Sequence, residues 1–321
     1  MFFLSLAAMV AMAAMQPGQA GTPGGSQPTV AAPDVRPALN PLATQFDIVS
    51  NATGRTYRIS VARPSGTPPE NGWPVIYVLD GDITFATVAS QNMLRSAYGE
   101  AGAVIVGVGY SDPAAALVMR NRDLTPSEPT EAGRKLGLLG EVKPGDYGGG
   151  AAFAQFMTAE LKPVIAALAP VDANAETLMG YSYGGLFTLG MLFKNPAAYE
   201  TYVIGSPSIW WNEREVLDGE QAFAQRVRSG EVSPRVLLTS GELEQDPDSV
   251  KLPSDPAQRA GVIDAIAREK MVENAKALAG RLQSIKGSAG YRVEYVVFDG
   301  ETHLSGIPAA VSRGYFFAMQ P

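Results

Sequence analysis

The chain has 321 residues, 46% hydrophobic and 18% charged, too apolar for a disordered polypeptide and long enough to enclose one large core. Lys and Arg number 25 against 32 Asp and Glu, a net charge of −7, and no basic run occurs, which argues against nucleic acid or an anionic membrane surface as partner. Cysteine is absent, so disulfides, thiolate nucleophiles and cysteine zinc sites are excluded.

Phe2 to Met15 is an uncharged apolar run, shorter than the roughly 20 residues a bilayer span requires. With the small residues Gly18 and Ala20 after it, the run reads as a secretory signal peptide over residues 1–20, cleaved after Ala20, although no Lys or Arg precedes it. The alternative is a buried amino-terminal helix. A leader implies a periplasmic or secreted protein with no stable membrane association once it is removed. Residues 21–41, rich in Pro, Gly, Ser and Ala, read as a flexible linker, and a single domain is expected over 42–321.

Within that domain, strand and helix patterns alternate. Thr56 to Val61 has period-two character, and Pro74 to Leu79 is an apolar run of the kind a strand buried on both faces needs. A helix over Phe85 to Ala97 and a strand over Ala103 to Val108 follow. Tyr110 to Gly150 holds many Pro, Gly and charged residues and little periodicity, so it is either a substrate-facing insertion or a surface loop. Phe153 to Leu168 reads as a helix that Pro163 kinks or breaks. Strands are expected at Thr177 to Met179, Thr201 to Ile204, Val236 to Thr239 and Tyr291 to Phe298, with helices over Leu186 to Phe193, Pro256 to Ile285 and Ile307 to Phe317. This alternation predicts an α/β fold, an open, mostly parallel sheet with helices on both faces.

Gly180-Tyr181-Ser182-Tyr183-Gly184 lies between an apolar strand and an apolar helix, the setting of a G-x-S-x-G nucleophile elbow. There Ser182 would present its hydroxyl at the carboxyl end of a central strand, with the Tyr183 N–H aimed at the reacting oxygen. Serine needs a base, and the chain has one histidine, His303, in the loop after the last strand. Ser, acid, His is the chain order of the α/β-hydrolase triad. The acid is expected in the loop after Val236 to Thr239, where Glu244 is preferred to Glu242 and Asp246. A second oxyanion donor is expected from the turn after Leu79, at the Asp82 or Gly81 amide. The chemistry requires no cofactor and no metal.

Val75 to Asp82 with Phe85, Tyr147-Gly148-Gly149, Glu160 to Pro163, the elbow through Phe187, and Ser206-Pro207-Ser208-Ile209-Trp210-Trp211 resemble the esterase group of α/β-hydrolases. Within it the likeness is greatest to periplasmic siderophore esterases of the enterobactin trilactone type. The resemblance, from about Phe46 to Met319, implies an α/β-hydrolase fold, ester cleavage through a seryl acyl-enzyme, Ser182 as nucleophile and His303 as base. Some members work with a Ser–His pair alone, so Glu244 is the least secure member. A siderophore-like ester implies basic contacts, for which Arg120 and Arg122 stand out. Trp210 and Trp211 offer an aromatic wall for an aryl group, one of the two being expected in the core, and Trp211 is the candidate contact. The expected partner is a small-molecule ester. An acyltransferase using the same serine and histidine, and a non-catalytic binding protein on the same fold, are the alternatives.

Overall fold

In a computed structural model, which describes residues 43–136 and 142–320, β1 (Ala43–Val49) and β2 (Thr56–Ala62) open the fold as an antiparallel hairpin. The leader and linker readings, over residues 1–20 and 21–41, fall outside the described residues. The chain continues through β3 (Trp73–Leu79), α1 (Gly81–Ala97) and β4 (Val104–Tyr110). The insertion carries α2 (Ala116–Leu124) and α3 (Glu131–Leu136). Then come α4 (Gly150–Gln155), α5 (Lys162–Leu168), β5 (Val171–Tyr181), α6 (Tyr183–Lys194), β6 (Thr201–Gly205), α7 (Glu220–Arg228) and β7 (Arg235–Gly241). The last elements are α8 (Pro256–Glu269), α9 (Met271–Gln283), β8 (Arg292–Phe298) and α10 (Gly306–Ala318).

The strands form one sheet in the order β1-β2-β4-β3-β5-β6-β7-β8. From β4 to β8 every pair is parallel, while β1–β2 and β2–β4 are antiparallel. Period-two alternation divides the core between the two faces. Val75, Tyr77 and Leu79 of β3 join one apolar layer with Phe153, Leu186 and Leu278; Ile76 and Val78 join the other with Val88, Val311 and Tyr315. Helices α2, α4 to α7 and α9 therefore cover one face, and α1 and α10 the other. The mostly parallel, doubly covered sheet is the one the strand-helix alternation calls for.

Two helical readings need correction. Pro163 does not break its helix: α4 passes through a π-helical turn, Phe156–Leu161, into α5, with the proline in the first turn of the restarted α-helix. The wider turn accommodates a ring that lacks an N–H and crowds the preceding carbonyl. The helix expected over Pro256 to Ile285 is two helices, divided at Lys270, whose φ of 48° cannot continue a right-handed helix.

A buried carboxylate inside the insertion gives the fold a pH dependence. Asp123 accepts a hydrogen bond from Tyr57 Oη at 2.9 Å and lies 3.7 Å from Arg55. Burial outweighs both, pushing its pKa from 3.8 up to about 6. The folded state holds this proton more tightly than the unfolded chain, so its stabilising contribution is complete below about pH 4 and lost as pH rises to about 6. Asp123→Asn keeps an acceptor for Tyr57 and removes the charge. In urea melts the variant should exceed the wild type by on the order of 2 kcal/mol at neutral pH, the gap closing below about pH 4. A gap independent of pH would contradict this.

Candidate active site

The catalytic candidates come from consecutive strands of the parallel half. Because β5, β6, β7 and β8 are adjacent and parallel, their carboxyl ends lie along one edge of the sheet, the edge at which open α/β sheets hold their ligands. Ser182 follows β5, Ser206 follows β6, Glu244 follows β7 and His303 follows β8.

Ser182 has φ 60° and ψ −117°, a conformation unfavourable for a residue with a Cβ and a mark of backbone held by its surroundings. The turn is tied down by Ser182 N–H to the Gly205 carbonyl at 3.0 Å and by Ser208 N–H to the Ser182 carbonyl at 3.2 Å. It can close only because a Cβ at Gly180 would lie 2.2 Å from the Gly184 oxygen. The same kind of approach occurs at Gly185, where a Cβ would lie 2.4 Å from the Gly205 oxygen, so α6 sits directly on the end of β6. Gly185 lies outside the five-residue motif, and nothing in the motif signals this requirement.

His303 Nδ1 is 2.8 Å from Glu244 Oε2. The Glu244 side chain is 0% exposed and that of His303 35%. Glu244 Oε1 accepts two further hydrogen bonds, both of 2.5 Å, from Ser206 Oγ and the Gly241 N–H. Burial pushes the Glu244 pKa up, but the hydrogen bonds from His303, Ser206 and Gly241 and the field of His303 outweigh it, so the carboxyl sits below its ordinary range. The other acids of this loop face elsewhere: Glu242 accepts from the Gly300 N–H at 2.9 Å, and Asp246 caps Asp248 at 2.9 Å. The loop carrying His303 is held beside the elbow by Tyr181, the residue preceding Ser182. Its hydroxyl donates to the His303 carbonyl at 2.9 Å, and its ring centroid lies 5.1 Å from the imidazole.

Tyr183 is the first residue of α6 and Asp82 lies in the first turn of α1, so both amides are among those with no intrahelical acceptor. A Cβ on Gly184 would lie 3.2 Å from Asp80 Oδ2, which brings the start of α1 against the start of α6. The Asp82 side chain points away from the elbow, accepting from the Tyr110 N–H at 3.0 Å.

The three residues expected to contact substrate all have partners within the protein. Arg120 is 9% exposed and pairs with Asp80, Nε to Oδ1 at 2.7 Å and Nη2 to Oδ2 at 3.0 Å, with its guanidinium 5.4 Å from the Tyr183 ring centre. Arg122 donates to the Gly145 carbonyl at 3.0 Å and straps the insertion together. Trp211 is 1% exposed, enclosed by Tyr147, Tyr183 and Trp210, and Trp210 is itself 7% exposed, so both tryptophans lie in the core where only one was expected there.

Sequence reasoning missed Ser206, with a strained φ of 35° and its hydroxyl on Glu244. Its place in the Ser206-Pro207-Ser208 run was the available signal. Glu269, at the end of α8, lies within electrostatic reach of the Glu244–His303 pair. Burial pushes that carboxyl up to about 7, His303 lowers it and Glu244 raises it, so it shares the electrostatic field of the site.

The sequence model of the Esterase family matches residues 50–287. The chain is 34% identical over 280 residues to the ferri-bacillibactin esterase BesA of Bacillus subtilis, covering 85% of this chain and 88% of that protein. It is 31% identical over 296 residues to the siderophore triacetylfusarinine C esterase of Aspergillus fumigatus, covering 87% and 93%. The crystal structure of the BES protein from Bacillus cereus superposes with a TM-score of 0.74 at 30% identity, covering 90% of this chain and 100% of that one. Family match, sequence likeness and superposition each span most of the domain, and the chain belongs to the Esterase family, on an α/β-hydrolase-type fold.

Proposed function

We propose that the chain is a serine esterase, periplasmic or secreted, that opens carboxylic esters of a siderophore-type small molecule through a seryl acyl-enzyme. The observation that carries this reading is the Glu244–His303 contact of 2.8 Å at the sheet edge where Ser182 occupies its strained elbow. The pairing engages Nδ1 and leaves Nε2 as the nitrogen that can accept a proton.

In this mechanism His303 Nε2 takes the Ser182 hydroxyl proton as Oγ bonds to the ester carbonyl carbon. The negative charge passes to the carbonyl oxygen, held by the Tyr183 N–H and an amide of the Gly81-Asp82 turn. Collapse breaks the bond to the alkoxy oxygen, which leaves with the proton from His303. Water then repeats the sequence on the acyl-enzyme, giving the carboxylic acid and free Ser182. Glu244 holds the imidazole in the productive tautomer and stabilises its charged form. Arg120 keeps one guanidinium nitrogen, Nη1, without a protein hydrogen bond among the described residues, which supports it as a contact to an anionic or carbonyl oxygen of the substrate. Arg122 and Trp211 belong to the scaffold.

The substrate class rests on the likeness to siderophore esterases. The test is incubation with a panel of catecholate and hydroxamate macrocyclic trilactones and simple aryl esters, with products read by mass. From a trilactone, the linear trimer, heavier by one water, and then its dimer and monomer acids are expected, and from an aryl ester the free acid. A panel left intact contradicts the proposal.

A further inference from the structure

Just after the tryptophan pair, Asn212, Glu213 and Arg214 have φ values of 43°, 58° and 71°. Left-handed backbone is unfavourable for residues with a Cβ, and a run of three persists only where surrounding contacts over-determine it. Asn212 makes those contacts. Its Nδ2 donates to Ser127 Oγ at 2.7 Å and to the Glu128 carbonyl at 2.9 Å. Its Oδ1 accepts from Thr130 N–H at 2.9 Å and Thr130 Oγ1 at 3.3 Å. Ser127 in turn donates to Glu215 at 2.6 Å. A Cβ at Gly133 would lie 2.3 Å from Asn212 Oδ1, so the start of α3 rests directly on the amide.

The strained turn thus joins the segment beside Ser182 to the insertion. Trp211, immediately before it, packs edge-on against the Tyr183 ring at 5.5 Å, and Tyr183 is the neighbour of Ser182. The partners of Asn212 all belong to the insertion, whose Arg120 guanidinium lies 5.4 Å from the centre of the same Tyr183 ring. Every donor and acceptor of this buried amide serves that junction, and the sequence offers a residue that tolerates the left-handed region better than most.

We infer that Asn212 is a positioning residue for substrate size: by fixing residues 127–133 against the Trp211–Tyr183 wall it sets the width of the cleft beside Ser182. It governs KM for bulky esters and leaves the chemical step on small ones unchanged. This inference rests on the esterase reading above.

Asn212→Gly separates the role from folding, because glycine adopts the left-handed φ without a penalty while every side-chain hydrogen bond is lost. For a macrocyclic trilactone the variant should lose about tenfold in kcat/KM, mostly through KM, while turnover of p-nitrophenyl acetate stays within about twofold. Ser127→Ala, acting from the insertion side, should move the same ratio in the same direction. Amide hydrogen exchange over residues 127–134 should quicken in both variants, while the central strands β3, β5 and β6 keep slow exchange. Equal losses on both esters, an unchanged KM for the trilactone, or unchanged exchange would overturn the inference while leaving the esterase reading intact. Wild-type protein that cleaves neither ester defeats the esterase reading and the specificity role with it.

Discussion

Ser182→Ala should lower kcat on a carboxylic ester by about 10,000-fold or more, with Tm unchanged. Only the hydroxyl group is lost, and the backbone strain at φ 60° is carried by the Gly205 and Ser208 contacts, which alanine keeps. Alanine retains the oxyanion donors and the binding surface, so a small residual rate over water is expected, as in other hydrolases of this mechanism. Retention of even one tenth of the wild-type rate would mean that another nucleophile acts.

Glu244→Gln should be the second most damaging change. Glutamine can place its oxygen where Ser206 Oγ and the Gly241 N–H both donate at 2.5 Å. Its nitrogen then faces His303 Nδ1, and two donors cannot share that position, so the imidazole shifts its proton to Nε2. A base already protonated at Nε2 cannot take the serine proton. The expected loss is about 100- to 10,000-fold in kcat on ester substrates. Activity within a few-fold of wild type would show that Ser182 and His303 work as a pair without an acid, the alternative that the family resemblance left open.

The same substitution has a signature in stability. The folded-state pKa of Glu244 lies below its ordinary 4.5, so the carboxylate contributes stability above that value. The contribution disappears as pH falls through the depressed folded pKa. The stability deficit of Glu244→Gln should therefore be largest near neutrality and shrink in acid.

What the sequence revealed and what it concealed follow from which interactions are local. Strands buried on both faces write themselves as apolar runs, which is why β3 and β4 were legible. β1 was not, because it is an edge strand of mixed exposure whose residues carry no continuous apolar run. Nor does β2 announce that it pairs antiparallel with β4, since partner choice depends on chain segments that lie far apart. Glycine spacing and chain order named Ser182 and His303 as candidates and put the acid in one loop with Glu244 preferred, and Glu244 is the carboxylate that meets His303. Which of its carboxylates faces the imidazole depended on the turn at Gly241. The partner of Arg120, Asp80, lies 40 residues away, so the sequence did not show which acid it pairs with. Lys270 and the Asn212–Arg214 turn were concealed for a different reason. Left-handed backbone normally advertises itself through glycine, and at these positions tertiary contacts hold other residues there.

The most direct test of the central claim is to treat the protein with a fluorophosphonate and locate the adduct by peptide mass spectrometry. One adduct per chain on the peptide containing Ser182, absent in Ser182→Ala and blocked by competing ester, is the predicted result. No labelling, or labelling confined to another residue while ester turnover ceases, would contradict the assignment of Ser182 as the nucleophile.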